Sequence, residues 1–205
     1  MAPARNWSQH LKQQTGSEQE LGVNNNMPTP RIPKDYNNET IFLTITVIEW
    51  INIFTNKEYF DILLNSLKYC QKEKGLIIFG FVFMTNHIHL IVSSEKNNLA
   101  DIVRDFKSFT TFEIRKLLLS DRRKYILKLI DNSFYKKKDK KNQIWQRENY
   151  PETICSEKFF HQKLDYIHNN PVVKGYIEKL EEWIYSSARN YYLNDHSLIK
   201  VDFWY

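Results

Sequence analysis

Residues 85–92 of the chain read Thr-Asn-His-Ile-His-Leu-Ile-Val, and this stretch decides the fold. An apolar run at 75–84, rich in β-branched and aromatic residues, precedes it, so the sequence predicts two strands joined by a tight turn at 84–86. Successive side chains of a strand point to opposite faces, which places His87 and His89 on one face with Cα atoms roughly 6.6 Å apart. The other face is apolar and carries Ile88, Leu90 and Val92.

Two imidazoles at this spacing suit chelation of one metal ion. The alternative for an isolated His-x-His is a pair of hydrogen-bonded histidines on a half-exposed strand. A second element supplies further polar groups, because Tyr166 and Asn170 are four residues apart and share one face of a predicted helix. A metal ion could then lie between His87, His89 and the Asn170 side-chain oxygen, with Tyr166 directed at a phosphate. From these residues alone, Tyr166 could equally be a core tyrosine and Asn170 a helix-terminal residue.

The remaining pattern predicts an α+β fold. We expect a strand at 40–50, a helix at 56–74 that ends at Gly75, the strand pair, a helix at 99–119, and a strand near 144–147. The last predicted helix is capped by Ser156 and should end at Asn170, because a proline at 171 disfavours helical geometry in the residue before it. This order indicates an antiparallel sheet with helices on one face.

The chain divides into a folded region with appendages. We expect residues 1–37 to be a disordered leader, 38–195 to be one domain and 196–205 to be a C-terminal tail. Residues 120–143 form a basic insert, whose first half could continue the preceding helix and whose second half is predicted to be a mobile loop. Such a charge run is either a solvated surface or a contact for a phosphate backbone.

Composition bounds the function and the location. The chain has 205 residues, 42% of them hydrophobic, and a net charge of +5, which suits a nucleic-acid partner. The longest apolar run, about ten residues, is too short to span a membrane, and the N-terminus lacks a secretory signal pattern. Cys70 and Cys155 make neither a CxxC motif nor a disulfide framework. We therefore expect a cytoplasmic, nucleoid-associated protein without a membrane partner.

Four motifs together resemble a known family. They are the Asn-His-Ile-His-Leu at 86–90, Trp145-Gln146, the Asp-Tyr-Ile-His-Asn-Asn-Pro at 165–171, and the Tyr-Ser-Ser-Ala at 185–188. The chain resembles, from about Phe42 to Tyr192, the single-tyrosine HUH transposases, and within them the REP-associated tyrosine transposases of the insertion-sequence-200-like group. The His-x-His motif alone is weak, and its combination with Tyr-Ile-x-x-Asn-Pro is specific.

The resemblance implies a ferredoxin-like or RRM-like sheet, the HUH nuclease fold, and an activity on single-stranded DNA with hairpins. It implies that Tyr166 is the nucleophile that forms a 5′-phosphotyrosine link, and that His87, His89 and Asn170 hold Mg²⁺ or Mn²⁺. Two histidines are unusual ligands for magnesium, which prefers oxygen. A possible homodimer would allow the tyrosine to serve its own histidines or those of a partner. The candidate DNA-binding residues are basic: Arg104, Lys107, Arg115, Lys116 and Arg147.

The sequence also departs from the family pattern. Related sequences often carry a histidine or aromatic pair where this chain has Asn-Tyr-Pro-Glu at 149–152. The alternative function, from another class, is a non-catalytic RRM-like nucleic-acid-binding module in which the two histidines are relics. A structural zinc site fits poorly, since no cysteine lies near the two histidines in sequence.

Overall fold

The computed structural model describes residue 32, residues 34–136 and residues 143–204. Four strands form one antiparallel sheet in the order β2-β3-β1-β4. The strands are β1 (Ile41–Thr46), β2 (Leu76–Phe83), β3 (His87–Ser94) and β4 (Glu152–Thr153). The α-helices are α1 (Lys57–Lys74), α2 (Leu99–Ser120), α3 (Lys124–Lys136), α4 (Glu157–Val173) and α5 (Ala188–Leu193).

The predicted α+β fold with an antiparallel sheet is confirmed, and helices cover both of its faces. On one face, α1, α2 and α3 bury the larger core against alternate strand residues such as Leu43, Phe81 and Leu90. On the other face, α4 forms a second core with the sheet, made by Phe42, Phe79, Val82, Ile91, Phe160, Leu164 and Ile167. The sequence predicted helices on one face only. The helix on the second face is the one that carries Tyr166 and Asn170.

The central strand pair forms as predicted. Strands β2 and β3 pair antiparallel around the turn at 84–86, and β3 also pairs with β1, where Thr44 lies opposite His89 and Thr46 lies opposite His87. Helix α1 begins after Asn56 and ends at Gly75, whose φ of 73° is left-handed. This conformation explains the glycine at the helix end, since it is strained for other residues.

Helix α4 does not end at Asn170, so that prediction was wrong. The helix continues through Pro171 to Val173, and the amides of Lys174 and Tyr176 donate to the carbonyls of Asn170 and Pro171 at 3.1 and 3.0 Å. Inside a helix, a proline removes its own amide from the hydrogen-bond ladder, and its ring clashes with the carbonyl four residues earlier. Because Pro171 lies in the last turn and its ring is buried, helical geometry persists until Gly175, whose φ is +72°.

Two predicted strands differ from the structure. Strand β1 stops at Thr46, and residues 48–50 form a 3₁₀ turn instead of continuing the strand. Residues 144–147 make a single bridge, between Trp145 and Val47, held by backbone hydrogen bonds from Ile48 N to Ile144 O and from Gln146 N to Thr46 O, both 2.8 Å. The Trp145 ring is buried, and its Nε1 donates to Thr110 Oγ1 at 3.0 Å.

The appendages are only partly within the described residues. In the predicted leader, Ile32 is buried in the larger core and residues 34–38 form a 3₁₀ helix, whereas residues 1–31 and 33 lie outside the described part. In the basic insert, left-handed Arg122 separates α2 from α3. The second half of the insert was predicted to be a mobile loop, but α3 continues to Lys136, and residues 137–142 lie outside the described part. The tail packs on the domain, since the amide of Asp202 donates to Ile78 O at 2.8 Å. None of the described helices is long and apolar enough to cross a membrane.

Gly80 allows α4 to lie directly on the sheet. A Cβ atom at this position of β2 would lie 2.9 Å from Leu164 Cδ1 and 3.6 Å from Ile167 Cδ1, both on α4. The absence of a side chain at Gly80 therefore sets the distance between the sheet and the helix that carries Tyr166.

We predict that Gly80→Ala lowers the free energy of unfolding by about 1–3 kcal/mol, the usual effect of overpacking. Leu164→Val removes the carbon atom that the new methyl group meets. The loss of unfolding free energy in the double variant should therefore be smaller than the sum of the two single losses by at least about 0.5 kcal/mol. Urea unfolding of the four proteins measures this coupling. Strictly additive losses would show that Leu164 is not what limits the space at Gly80.

Candidate functional site

The structure brings the four predicted site residues together. The ring centroids of His87 and His89 lie 4.7 Å apart, and that of Tyr166 lies 5.1 Å from His89. Asn170 Nδ2 lies 3.2 Å from His89 Nε2. The sheet supplies the histidines and α4 supplies the tyrosine and the asparagine, so a single chain places the tyrosine against its own histidines.

Neighbouring hydrogen bonds fix the protonated nitrogen of His87. Asn86 Nδ2 donates to the carbonyl of Trp50 at 2.9 Å, which directs Asn86 Oδ1 towards His87 Nδ1 at 2.7 Å. An amide oxygen only accepts hydrogen bonds, so His87 Nδ1 must carry the proton. The lone pair of His87 is therefore on Nε2, the nitrogen available to a cation.

His89 has the same tautomer for a similar reason. Asn170 Nδ2 donates to His89 Nε2, so Nε2 holds a lone pair, and His89 Nδ1 donates to Thr44 Oγ1 at 2.8 Å. Histidines that bind metals commonly donate their second ring nitrogen to an oxygen in this way. Asn86 and Thr44 thus orient the two imidazoles through their Nδ1 atoms.

Burial keeps the two histidines neutral at physiological pH. Burial, and secondarily the charge of Lys174, lowers the pKa of His87 to about 4. Burial, then the charges of His87 and Lys163, lowers the pKa of His89 well below its usual value. Neutral imidazoles do not repel a cation, and their lone pairs need not be freed from protons first.

The residues present fit a divalent cation. Asn170 Oδ1 is buried and lacks a hydrogen-bond partner among the described residues, so this oxygen is available as a ligand. Within the described part of the chain, no cluster of three or more His, Cys, Asp or Glu side chains exists. The protein would therefore supply two nitrogens and one amide oxygen, and a substrate phosphate or water would complete the coordination.

Tyr166 lies at the edge of the site, accessible and yet restrained. Its side chain is 51% exposed, and its ring contacts His89 and, edge-on at 6.0 Å, Phe42. Burial of part of the ring, and secondarily the charge of Glu152, raises the pKa of its hydroxyl. The phenol is therefore protonated at neutral pH, and a nucleophilic role requires that its proton be removed.

Three residues that the sequence analysis missed support this tyrosine. Phe42 stacks on His89 at 5.6 Å, and Lys163 Nζ lies 4.5 Å from the centre of the Phe42 ring. Lys163 also forms an ion pair with Glu152 at 2.6 Å. The spacing of three residues between Lys163 and Tyr166 could have revealed the lysine, since such residues share one helix face. The role of Phe42 could not be predicted from its own segment, because its contact with His89 depends on how β1 pairs with β3.

Four of the five predicted DNA-binding residues lie on α2, whose buried side packs on the sheet face opposite the histidines. Arg104 is exposed and forms ion pairs with Asp101 and Asp105, and Arg115 forms a two-pronged pair with Asp131 at 2.9 and 3.2 Å. Lys116 on α2 and Arg147, which follows Trp145, are exposed. The cations whose charges act on the two histidines are instead Lys163 and Lys174.

Lys107 has internal partners. Its ammonium donates to Gln146 O at 2.7 Å and to Asn149 Oδ1 at 2.8 Å, and burial lowers its pKa to about 8. These bonds hold the segment that borders β1, where Asn149 O accepts from the amide of Thr44 at 2.9 Å. The contacts of Lys107 thus indicate a structural role.

We predict that Lys107→Met lowers the free energy of unfolding by about 1–3 kcal/mol, because it leaves buried acceptors without a donor. Its effect on the salt dependence of DNA binding should be small. Replacement of a lysine that binds phosphate would reduce the slope of log affinity against log salt concentration by about one. Lys116 is an exposed lysine on the same helix, so Lys116→Met is the matched control and should leave the stability unchanged. Urea unfolding and salt titrations of DNA binding measure both quantities. An unchanged stability with a reduced salt slope for Lys107→Met would restore its predicted role in DNA binding.

Comparisons of sequence and structure identify known proteins that this chain resembles. Residues 40–170 match the family described as transposase IS200 like. A protein of Haemophilus influenzae assigned as a REP-associated tyrosine transposase is 30% identical over 109 residues, which span 51% of this chain and 54% of that protein. The chain thus matches about half the length of this curated relative. A solved structure of a REP-associated tyrosine transposase bound to a REP hairpin superposes with a TM-score of 0.54 at 17% identity, over 82% of this chain and 87% of that chain, and shows the same fold.

The family match covers more than half of the chain and includes His87, His89, Tyr166 and Asn170. The resemblance inferred from the sequence motifs is therefore confirmed, and the chain belongs to the IS200-like transposase family.

Proposed function

We propose that the chain cleaves and rejoins single-stranded DNA through a covalent link to Tyr166. The observation that carries this proposal is the contact between the accessible Tyr166 ring and His89, 5.1 Å apart, beside a second oriented histidine. A partly exposed tyrosine against two neutral imidazoles and an unpartnered buried amide oxygen is poorly explained as core packing.

The chain's own residues position the reacting groups. In the proposed step, the Tyr166 hydroxyl oxygen forms a bond to the scissile phosphorus, and the bond from phosphorus to the 3′ oxygen breaks. The phenolic proton that is lost is matched by the proton that the leaving 3′ oxygen gains. The product is a 5′-phosphotyrosine and a free 3′-hydroxyl, and the reverse reaction rejoins the strands without an external energy source.

A divalent cation is the proposed cofactor, held by His87 Nε2, His89 Nε2 and Asn170 Oδ1. It would take the single lone pair of His89 Nε2 in place of the hydrogen bond from Asn170 Nδ2. When bound, such a cation polarises a phosphate oxygen and offsets the charge that develops during attack. Two imidazole ligands favour Mn²⁺ over Mg²⁺, because magnesium binds nitrogen weakly. The orphan oxygen of Asn170 and the fixed tautomers of both histidines support this ligand set.

Hairpin DNA with single-stranded arms is the proposed substrate. The related solved protein is bound to a REP hairpin, and this chain carries a net charge of +5. Lys163 and Lys174 lie close enough to the histidines to lower their pKa values, so both are placed to attract a phosphate backbone.

The test is covalent capture. The protein is incubated with end-labelled hairpins carrying randomised single-stranded arms, in Mn²⁺, in Mg²⁺ and in a chelator. We expect a denaturant-resistant protein–DNA band with either metal, stronger with Mn²⁺, and none in the chelator. Mass spectrometry of the digested band should place the DNA on the peptide that contains Tyr166. Binding of the hairpins without any covalent band would instead favour a non-catalytic nucleic-acid-binding module.

A further inference from the structure

Trp50 is a large aromatic side chain that the fold leaves in solvent beside the histidines. It is 56% exposed, and its ring contacts His87 edge-on with the centroids 5.3 Å apart. The other tryptophans of the described residues, Trp145, Trp183 and Trp204, are buried or half-buried. An indole that is mostly exposed beside the proposed metal ligands is unfavourable unless a ligand covers it.

The backbone at Trp50 is held in an unfavourable conformation. Glu49 has φ 51° and ψ 25°, and Trp50 has φ 55°, so two consecutive residues other than glycine are left-handed. Each such residue is disfavoured by about 1–2 kcal/mol, and a turn without another requirement would carry glycine or asparagine there. Strain of this kind concentrates at functional sites, where the surrounding structure maintains it.

Hydrogen bonds maintain this turn and connect it to the histidine pair. The Trp50 amide donates to Val47 O at 3.0 Å, and its carbonyl accepts from Asn86 Nδ2 at 2.9 Å. The same Asn86 accepts from His87 Nδ1 at 2.7 Å. One asparagine side chain therefore fixes both the position of the indole and the orientation of His87.

A polar side chain two residues after Trp50 has an oriented donor, and it shares Asn86 Nδ2 with the Trp50 carbonyl. Asn52 is exposed, and its Oδ1 accepts from Thr85 Oγ1 at 2.8 Å and from Asn86 Nδ2 at 2.9 Å. Because both bonds go to the oxygen, the Asn52 amide nitrogen points away from these partners. A flat apolar ring and an amide donor two residues apart on one turn have the chemistry that binds a nucleobase, by stacking on its face and by hydrogen bonding to a keto group on its edge.

We propose that Trp50 and Asn52 form a nucleobase subsite, which stacks one unpaired base next to the scissile phosphate and favours a base with a keto edge. This inference rests on the proposed function, because it takes single-stranded DNA as the ligand. The contact of Trp50 with His87 places the stacked base immediately beside the reacting phosphate. The subsite thus determines which phosphate of the arm reaches Tyr166.

The test measures binding, so that it does not depend on cleavage. A hairpin is selected by filter binding from a pool with randomised arms, and an abasic residue is then introduced at each arm position in turn. Affinities are measured for the protein and for Trp50→Asn and Trp50→Phe, all in a Tyr166→Phe background. Asparagine tolerates the left-handed backbone and removes the ring, whereas phenylalanine retains a stacking surface.

We expect one abasic position to weaken binding by about 5- to 150-fold, the effect of losing one base–aromatic stack. The same substitution should have little effect on Trp50→Asn, which already lacks the stack, and an intermediate effect on Trp50→Phe. At that position, Asn52→Asp replaces the amide donor by an acceptor and should shift the preference from guanine or thymine to adenine or cytosine.

If each abasic substitution weakens DNA binding by the same factor in Trp50→Asn as in the parent protein, the subsite is overturned. Covalent capture on Tyr166 together with such equal losses would leave the proposed function intact and remove this inference. Coupling between Trp50 and one base without any covalent capture would retain the subsite and remove the proposed chemistry.

Discussion

Tyr166→Phe is expected to reduce formation of the covalent protein–DNA product by about 1,000-fold or more, because it removes the only atom of this side chain that can attack phosphorus. The ring contacts with His89 and Phe42 remain in this variant, so the free energy of unfolding should change by less than about 0.5 kcal/mol. Affinity for a hairpin should also be retained. The measurement combines covalent capture, urea unfolding and a binding titration on one preparation.

Two other tyrosines serve as controls for this change. Tyr69 and Tyr150 are 58% and 59% exposed, comparable with Tyr166, and neither has a ring contact with the histidines among the described residues. Tyr69→Phe and Tyr150→Phe should leave covalent capture unchanged. A covalent band that persists in Tyr166→Phe would show that another side chain is the nucleophile.

The rate of capture should rise with pH across the neutral range. Burial and the charge of Glu152 raise the pKa of the Tyr166 hydroxyl above its usual value, so the reactive phenolate fraction increases with pH throughout this range. The histidines contribute little to this dependence near neutrality, because burial lowers the pKa of His87 to about 4.

The local periodicity of the sequence was sufficient to predict the strand pair and the helices at 57–74 and 99–120. Alternation placed His87 and His89 on one face, and the spacing of Tyr166 and Asn170 placed these two on one helix face. These are short-range relations, which depend only on residues within one element. The structure reproduces each of them.

Relations between elements were harder to predict. The packing of α4 on the second sheet face depends on Gly80, where the missing side chain lets Leu164 approach, and an isolated glycine in a strand does not reveal this partner. Helix α4 passes Pro171 because tertiary packing outweighs a local preference that would end it. The left-handed turn at Glu49 and Trp50 has no sequence signal, since neither residue favours that conformation.

Asn170→Ala is expected to lower the affinity for Mn²⁺ by at least about 10-fold without destabilising the fold. The change removes a buried oxygen that has no hydrogen-bond partner, and burial of such an atom costs about 1–3 kcal/mol. It also leaves the buried acceptor His89 Nε2 without its donor, at a similar cost of about 1–3 kcal/mol, so the two effects should nearly cancel and the free energy of unfolding should change little. A residue that is retained for stability would, when replaced by alanine, lower the free energy of unfolding and leave the affinity for Mn²⁺ unchanged.

Asn169→Ala is the matched control, because Asn169 is the exposed neighbour on α4 and its Nδ2 donates to the backbone carbonyl of Asp165 at 2.9 Å. It should leave both the affinity for Mn²⁺ and the stability unchanged, whereas Asn170→Asp, which keeps an oxygen at the ligand position, should bind Mn²⁺ at least as tightly as the parent protein. Calorimetric titration of the DNA-free protein with Mn²⁺, together with urea unfolding, measures the two effects separately from catalysis. Equal Mn²⁺ affinities for Asn170→Ala, Asn169→Ala and the parent would remove Asn170 from the ligand set. A loss of Mn²⁺ affinity in Asn170→Ala alone, without a loss of stability, would show that the buried Asn170 oxygen is retained to bind a cation.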